Sequence, residues 1–129
     1  HDVAGFNYRM PNLNAALGVG QLEVLNSHLS KKRRLAMHYK AFFAGSNYSF
    51  FDEPVDTKSN FWLNVLVCPS LDSRNELIEK ANTLGVMMRP IWQPMHKLPV
   101  FKDCPKGDLS NTEWFESRVV NIPSSPAEV

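Results

Sequence analysis

Three side chains in a row, Asn7, Tyr8 and Arg9, stand where a polar loop runs into a long helical pattern. Gly5 opens the loop, since glycine takes positive φ without steric cost. Pro11 suits the first helical turn, where its missing N–H is no loss. A helix N-terminus carries partial positive charge and unpaired N–H groups, so an amide and a guanidinium there suit an anion such as a phosphate. The same residues also fit an ordinary polar loop ahead of a core helix. A second group stands on RPIWQPMHKLPVFKDCP, from Arg89 to Pro105. Its prolines, at 90, 94, 99 and 105, exclude regular structure and stiffen the path. Trp92, Met95, His96 and Phe101 are strung along it. Large apolar groups on such a loop can line a pocket, because binding residues concentrate on loops. Alternatively Trp92 and Phe101 plug the end of a sheet, and His96 is a hydrogen-bonded structural histidine. No Ser/His/Asp arrangement, catalytic carboxylate pair or metal-ligand spacing is legible, and His1, His28, His38 and His96 are dispersed.

The elements that must position these groups follow from periodicity. Leu13, Ala16, Leu17, Gly20 and Val24 recur at three and four, one face of a helix. Ala15, Ala16, Gly18 and Gly20 keep it thin, and each interior glycine costs about 1 kcal/mol against alanine. That cost is tolerable where another backbone comes close. Helical character runs on through Leu35, Tyr39 and Phe42 to a stop at Gly45. The result is one rod of about 30 residues, roughly 45 Å at 1.5 Å per residue, or two helices meeting near Asn26 and Ser27. Asn47 to Phe51 reads as a short strand. Ser59 to Val67 reads as a longer one, apolar on nearly both faces and hence central in its sheet. Ser73 with Glu76, and Ser110 with Glu113, have the spacing of capping boxes. The first opens a helix ending at Gly85, the second a short helix to about Ser117. Val86 to Arg89 and Arg118 to Ile122 are further strands. The order predicts an α+β fold, with helices layered on a small, largely antiparallel sheet.

Fourteen basic against thirteen acidic residues leave a net charge of +1, which disfavours nucleic-acid binding through overall charge. The run Lys31 to Arg34 spreads over every face of a helix, so a solvated surface is expected rather than a nucleic-acid patch. No apolar run approaches the ~20 residues of a membrane span. Cys68 and Cys104 lack metal-site spacing and are expected to be reduced thiols of a cytoplasmic protein. At 129 residues the chain suffices for one core. It opens at His1 inside a motif and stops at Ala127-Glu128-Val129, which reads as the first turn of a helix; a piece of a longer protein is expected.

The run from His1 to Leu25, H-x-x-x-G-F-N-Y-R-M-x-N-L-x-A-A-x-G-x-x-Q-L-E-x-L, closely resembles the DegT/DnrJ-type sugar-nucleotide aminotransferases. These are pyridoxal 5′-phosphate (PLP) enzymes of the aspartate-aminotransferase fold. Gly85 to Pro99 and Asp108 to Ser125 look most like the LegC-type branch, which aminates nucleotide-activated N-acetyl sugars. The resemblance implies a long interdomain helix with its cofactor loop (residues 1–45), then a small C-terminal domain (46–129), without the large PLP domain. It further implies a homodimer in which Asn7, assisted by Arg9, reaches the cofactor phosphate of the neighbouring subunit. Trp92 and His96 would sit by the nucleotide-sugar substrate. Arg89 would meet its phosphate or the carboxylate of the amino-acid donor, glutamate being the expected one. The lysine that holds the cofactor covalently would lie upstream of His1, leaving this chain alone inactive. Two rival readings remain, a PLP-dependent deoxysugar dehydratase with histidine in place of that lysine, and a non-catalytic helix-pairing module.

Overall fold

The computed structural model describes residue 5 and residues 9–126; Asn7 and Tyr8 lie outside them. The apolar stripe at the start does form a helix, α1 (Asn12–Glu23), and helical structure resumes as α2 (Leu25–Phe43). The joint is Val24, at φ −107° and ψ 5°, two residues earlier than a bend at Asn26. The His28 N–H still reaches the Val24 carbonyl at 3.0 Å, so α2 begins without a lost turn. Leu35 and Ala36 are buried, and Tyr39 and Phe43, one and two turns on, pack against the core. Gly45, at φ +79°, terminates this stretch as expected.

Four strands follow: β1 (Ser49–Phe50), β2 (Asn64–Val67), β3 (Arg89–Pro90) and β4 (Val119–Ile122). All pairs are antiparallel, in the order β1-β2-β4-β3. β2 is interior, as its two apolar faces predicted, and Leu66, Cys68, Val120 and Ile122 form the heart of the core. α3 (Leu71–Thr83) and α4 (Ser110–Arg118) complete the chain, with Leu77 and Ile78 of α3 packed on that core. The α+β expectation is met.

Local differences have local causes. The strand expected from Ser59 begins only at Asn64, because Phe61 has φ +46° and cannot be extended. Residues 59–62 form a compact turn instead. Ser59 Oγ accepts the Phe61 N–H at 3.0 Å, and Asn60 Oδ1 accepts the Trp62 N–H at 2.9 Å. Such short side chains compete with a strand ladder for backbone donors. Neither expected capping box forms. Ser70 is the cap of α3, accepting the Ser73 N–H at 3.1 Å. At α4 the carboxylate of Asp108 takes both the N–H and the hydroxyl of Ser110, each at 3.0 Å. In both places an acceptor further upstream captured the donor first. β3 is shorter and later than expected, and its Pro90 is tolerated because the strand is at the sheet edge. The proline-rich segment is not free of regular structure, holding single 3-10 turns at Met95–Lys97 and Pro99–Phe101.

Candidate functional site

β3 and β4 pair Arg89 with Asn121 and Pro90 with Val120. The chain then leaves the sheet through Ile91, carrying Trp92 over its end. A cleft of about 430 Å³ opens there, lined among others by Met87, Arg89, Trp92, Asn121, Ser124 and Ser125. Trp92 does not plug the sheet, for it is 66% exposed. Its indole stacks on Trp62, centroids 6.0 Å apart and planes 25° apart, and Trp62 is 65% exposed as well. Two stacked indoles that open to solvent make a rigid aromatic wall; Arg89 supplies a cation, and Asn121 with the two serines supplies hydrogen-bonding groups. This set suits a ligand with a flat or apolar face and an anionic portion.

Sequence reasoning missed the device behind that wall. From α2, Lys32 Nζ donates to the carbonyls of Phe61 (3.2 Å), Trp62 (3.0 Å) and Ser124 (2.5 Å). Arg33 donates to Glu53 through both terminal nitrogens (2.5 and 3.3 Å) and to the Ser59 carbonyl at 2.6 Å. Its guanidinium also lies over the buried Phe61 ring, 5.3 Å from the centroid. The basic run is therefore no uniformly solvated face, because two of its members grip a turn some thirty residues away. Burial pushes the Lys32 ammonium below its ordinary pKa, while three carbonyls use its three protons as donors. Ser124 is stapled from the other side, its Oγ accepting the Asn64 N–H at 2.7 Å and donating to the Ile122 carbonyl at 2.7 Å. Asn64 is buried, and its Oδ1 has no hydrogen-bond partner among the described residues.

His96 is elsewhere. It lines a second cleft, of about 480 Å³, with Met95, Phe101, Cys104 and Leu109, and its Nε2 is 3.3 Å from Glu113 Oε1. Trp92 and Arg89 thus share one cleft and His96 opens onto another. Arg9 is exposed just ahead of α1, whose N-cap is Pro11, and among the described residues no side chain caps the first turn. Asn7 lies outside the described residues. Among the described residues no helix is long and apolar enough to cross a membrane.

A family model, that of the DegT/DnrJ/EryC1/StrS aminotransferase family, matches residues 1–128. The chain belongs to this family. It is 31% identical over 129 residues to the GDP-perosamine synthase of Escherichia coli O157:H7, covering 98% of this chain and 34% of that protein. The chain thus spans about a third of the length of the curated relatives it matches. Among solved structures, Spr1654 of Streptococcus pneumoniae, described as a sugar aminotransferase, matches with TM-score 0.76 at 24% identity in its PLP form. That match covers 90% of this chain and 31% of Spr1654. Helicobacter pylori PseC, an aminotransferase involved in pseudoaminic acid biosynthesis, matches with TM-score 0.81 at 17% identity, covering 96% of this chain and 34% of PseC. Both carry the same fold.

PLP is the cofactor of the DegT/DnrJ/EryC1/StrS family. Among the described residues no side chain caps the first turn of α1, and Arg9 just ahead of it is exposed; backbone N–H groups and a guanidinium in such a place are chemistry that suits a phosphate. No lysine lines the Trp92 cleft. Lys32, bonded to the backbone behind that wall, has all three protons committed to carbonyls.

Proposed function

We propose that the complete enzyme transfers an amino group from an amino acid, glutamate being our choice, to a keto group of a nucleotide-activated sugar. The family match over residues 1–128 carries this reading. In it, residues 1–45 form the interdomain rod with its cofactor loop, and 46–129 the small domain. Asn7 and Arg9 hold the cofactor phosphate of the neighbouring subunit in a cytoplasmic homodimer. PLP, when bound, supplies the electron sink for amino transfer. Arg89 pairs with the anionic portion of the substrate. Trp92 packs on its flat or apolar face, excluding water there. His96, on the second cleft, hydrogen-bonds a different portion of the substrate or of the donor. The covalent lysine belongs to the sequence upstream of His1, so the 129-residue chain by itself is inactive.

The test is amino transfer from glutamate to a keto-sugar nucleotide by the complete polypeptide, followed by mass spectrometry of the product. Formation of the aminated sugar nucleotide, with no product from residues 1–129 alone, is expected. Dehydration without amination would replace the transaminase by a dehydratase. Trp92→Ala should raise the sugar-nucleotide KM by about tenfold, an effect of about 1.4 kcal/mol. A loss confined to thermal stability would remove Trp92 from the substrate site.

A further inference from the structure

The cleft has two walls that come from distant parts of the chain. One is the indole of Trp92, backed by Trp62, on which it stacks. The other is the turn after β4, with Ser124 and Ser125. The sheet holds Trp92 through Ile91, whose N–H meets the Val119 carbonyl at 3.4 Å, and the buried Phe61 ring anchors the turn beneath Trp62, but no ladder pair reaches Trp62 itself. β2 starts only at Asn64, and Trp62 projects from a turn whose preceding residue, Phe61, is held at φ +46°. A non-glycine residue in that region is strained and persists only where its surroundings over-determine it. The surroundings here are specific. The Phe61 and Trp62 carbonyls point at one ammonium, and the same ammonium takes the Ser124 carbonyl from the opposite wall.

We propose that Lys32 is a positioning residue for this cleft: by holding the Phe61, Trp62 and Ser124 carbonyls on one tetrahedral centre, it fixes the aromatic wall relative to the serine wall and so sets the width of the substrate slot. A lysine suits this place better than an arginine. Its three protons diverge from a single nitrogen and meet three acceptors from three directions, whereas a guanidinium presents its donors in one plane. The strength is also suitable, because hydrogen bonds to a charged donor are stronger than those between neutral groups. The clamp is separate from the binding groups, since Lys32 does not line the cleft. That the slot receives the sugar nucleotide rests on the function proposed above; that Lys32 sets its width does not.

The experiment uses the complete polypeptide labelled with 5-fluorotryptophan, Trp62→Phe and Trp92→Phe assigning the fluorine resonances. Each indole lies in the ring current of the other, so their shifts report the stack, and Trp114, packed on Phe115 and Arg118, is an internal reference. Lys32→Met keeps the aliphatic stem and removes the donors. Lys32→Arg keeps charge and length, and serves if the methionine variant does not fold. In either variant the Trp62 and Trp92 resonances should move or broaden while that of Trp114 stays. The sugar-nucleotide KM should rise on the order of tenfold with kcat changed less than about twofold, the signature of lost uniform binding. Unmoved Trp62 and Trp92 resonances in both variants would overturn the proposal and leave Lys32 a strut for stability alone. Moved resonances with an unchanged KM would sustain the clamp and instead overturn the assignment of this cleft to the sugar nucleotide.

Discussion

α2 drives Leu35 and Ala36 into the core and ties two distant segments to itself through Lys32 and Arg33, whereas α1, joined to it at Val24, buries none of its twelve residues. Both carry large apolar side chains, so hydrophobicity alone does not separate them. Leu13 and Leu17 are 80% and 65% exposed, and Leu22 and Val19 are exposed on other sides of the same helix. A helix apolar on most sides is one built to be enclosed. The contrast teaches that α2 is held by the sheet core of this chain, while α1 draws little of its stability from it.

The largest test of that contrast is Leu35→Ala. Truncating a buried leucine removes its transfer free energy and leaves a cavity, together about 2–4 kcal/mol, visible as a lowered midpoint in urea. Leu17→Ala, the equivalent truncation on α1, should change it by less than about 0.5 kcal/mol. Equal losses would mean that α1 is packed after all. Arg33→Ala comes next, at about 1–3 kcal/mol, because it leaves the Ser59 carbonyl and the Glu53 carboxylate short of a charged donor. Acid should reproduce part of it. The Arg33 side chain and then the Ser59 N–H hold Glu53 below the ordinary carboxylate range; the Lys40 side chain and then the Glu53 N–H do the same for Asp52. Carboxylates depressed in the folded state contribute stability above their unfolded pKa and lose it as pH falls through the folded one. The midpoint should therefore decline below the ordinary carboxylate range, and decline less steeply in Arg33→Ala than in the unaltered chain. Identical pH slopes would detach Arg33 from that loop.

What was legible in the sequence divides along the same line. Periodicity and punctuation found α1, α3, the interior place of β2 and the stops at Gly45 and Gly85, because each depends on neighbours within a few residues. The clamp was not legible. Nothing in Lys31 to Arg34 distinguishes the two members that reach Phe61, Ser59 and Glu53 from a run of solvated charges, since their acceptors, backbone carbonyls and one carboxylate, lie twenty or more residues away. The turn at residues 59–62 hid for a related reason. Phe61, Leu63, Val65 and Val67 alternate as a strand should, and only the clustering of Ser59 and Asn60 hinted at side chains competing for backbone N–H groups. In the cleft, Trp92 was singled out from its place on a proline-stiffened loop and Arg89 only from the family resemblance, and the structure brings the two together. Their partner Trp62 sat inside the misread strand, where it counted as one more apolar position.

Gly20→Ala asks whether the thinness of α1 serves anything within this chain. A methyl group at Gly20 meets no atom of the described residues within 4 Å outside its own stretch of helix, and neither does one at Gly18. With nothing to clash, alanine should stabilise the isolated helix by about 0.5–1 kcal/mol, chiefly through the unfolded chain's lost freedom. Far-ultraviolet circular dichroism of residues 1–129 should register the added helicity. In the complete polypeptide the sign should reverse if another backbone approaches that face, and a stabilisation of equal size in both would remove close approach as the reason for the glycine.

The smallest expected effect on folding is that of Leu17→Glu, and it bears most directly on the comparison. A charge placed on a side chain already 65% exposed costs the monomer little, within about 0.5 kcal/mol. Yet a contiguous face of Leu13, Leu17 and Val24 exceeds what a monomer exposes without consequence. The 129-residue chain should therefore self-associate in light scattering, with a mass that rises with concentration. Leu17→Glu should return it toward the monomer mass while its urea midpoint stays put. An unaltered chain that is monomeric at every concentration would refute a sticky α1. A glutamate variant that associates as before would move the contact to the exposed Met37 and Phe42 side of α2, and the division between the two helices would then have to be redrawn there.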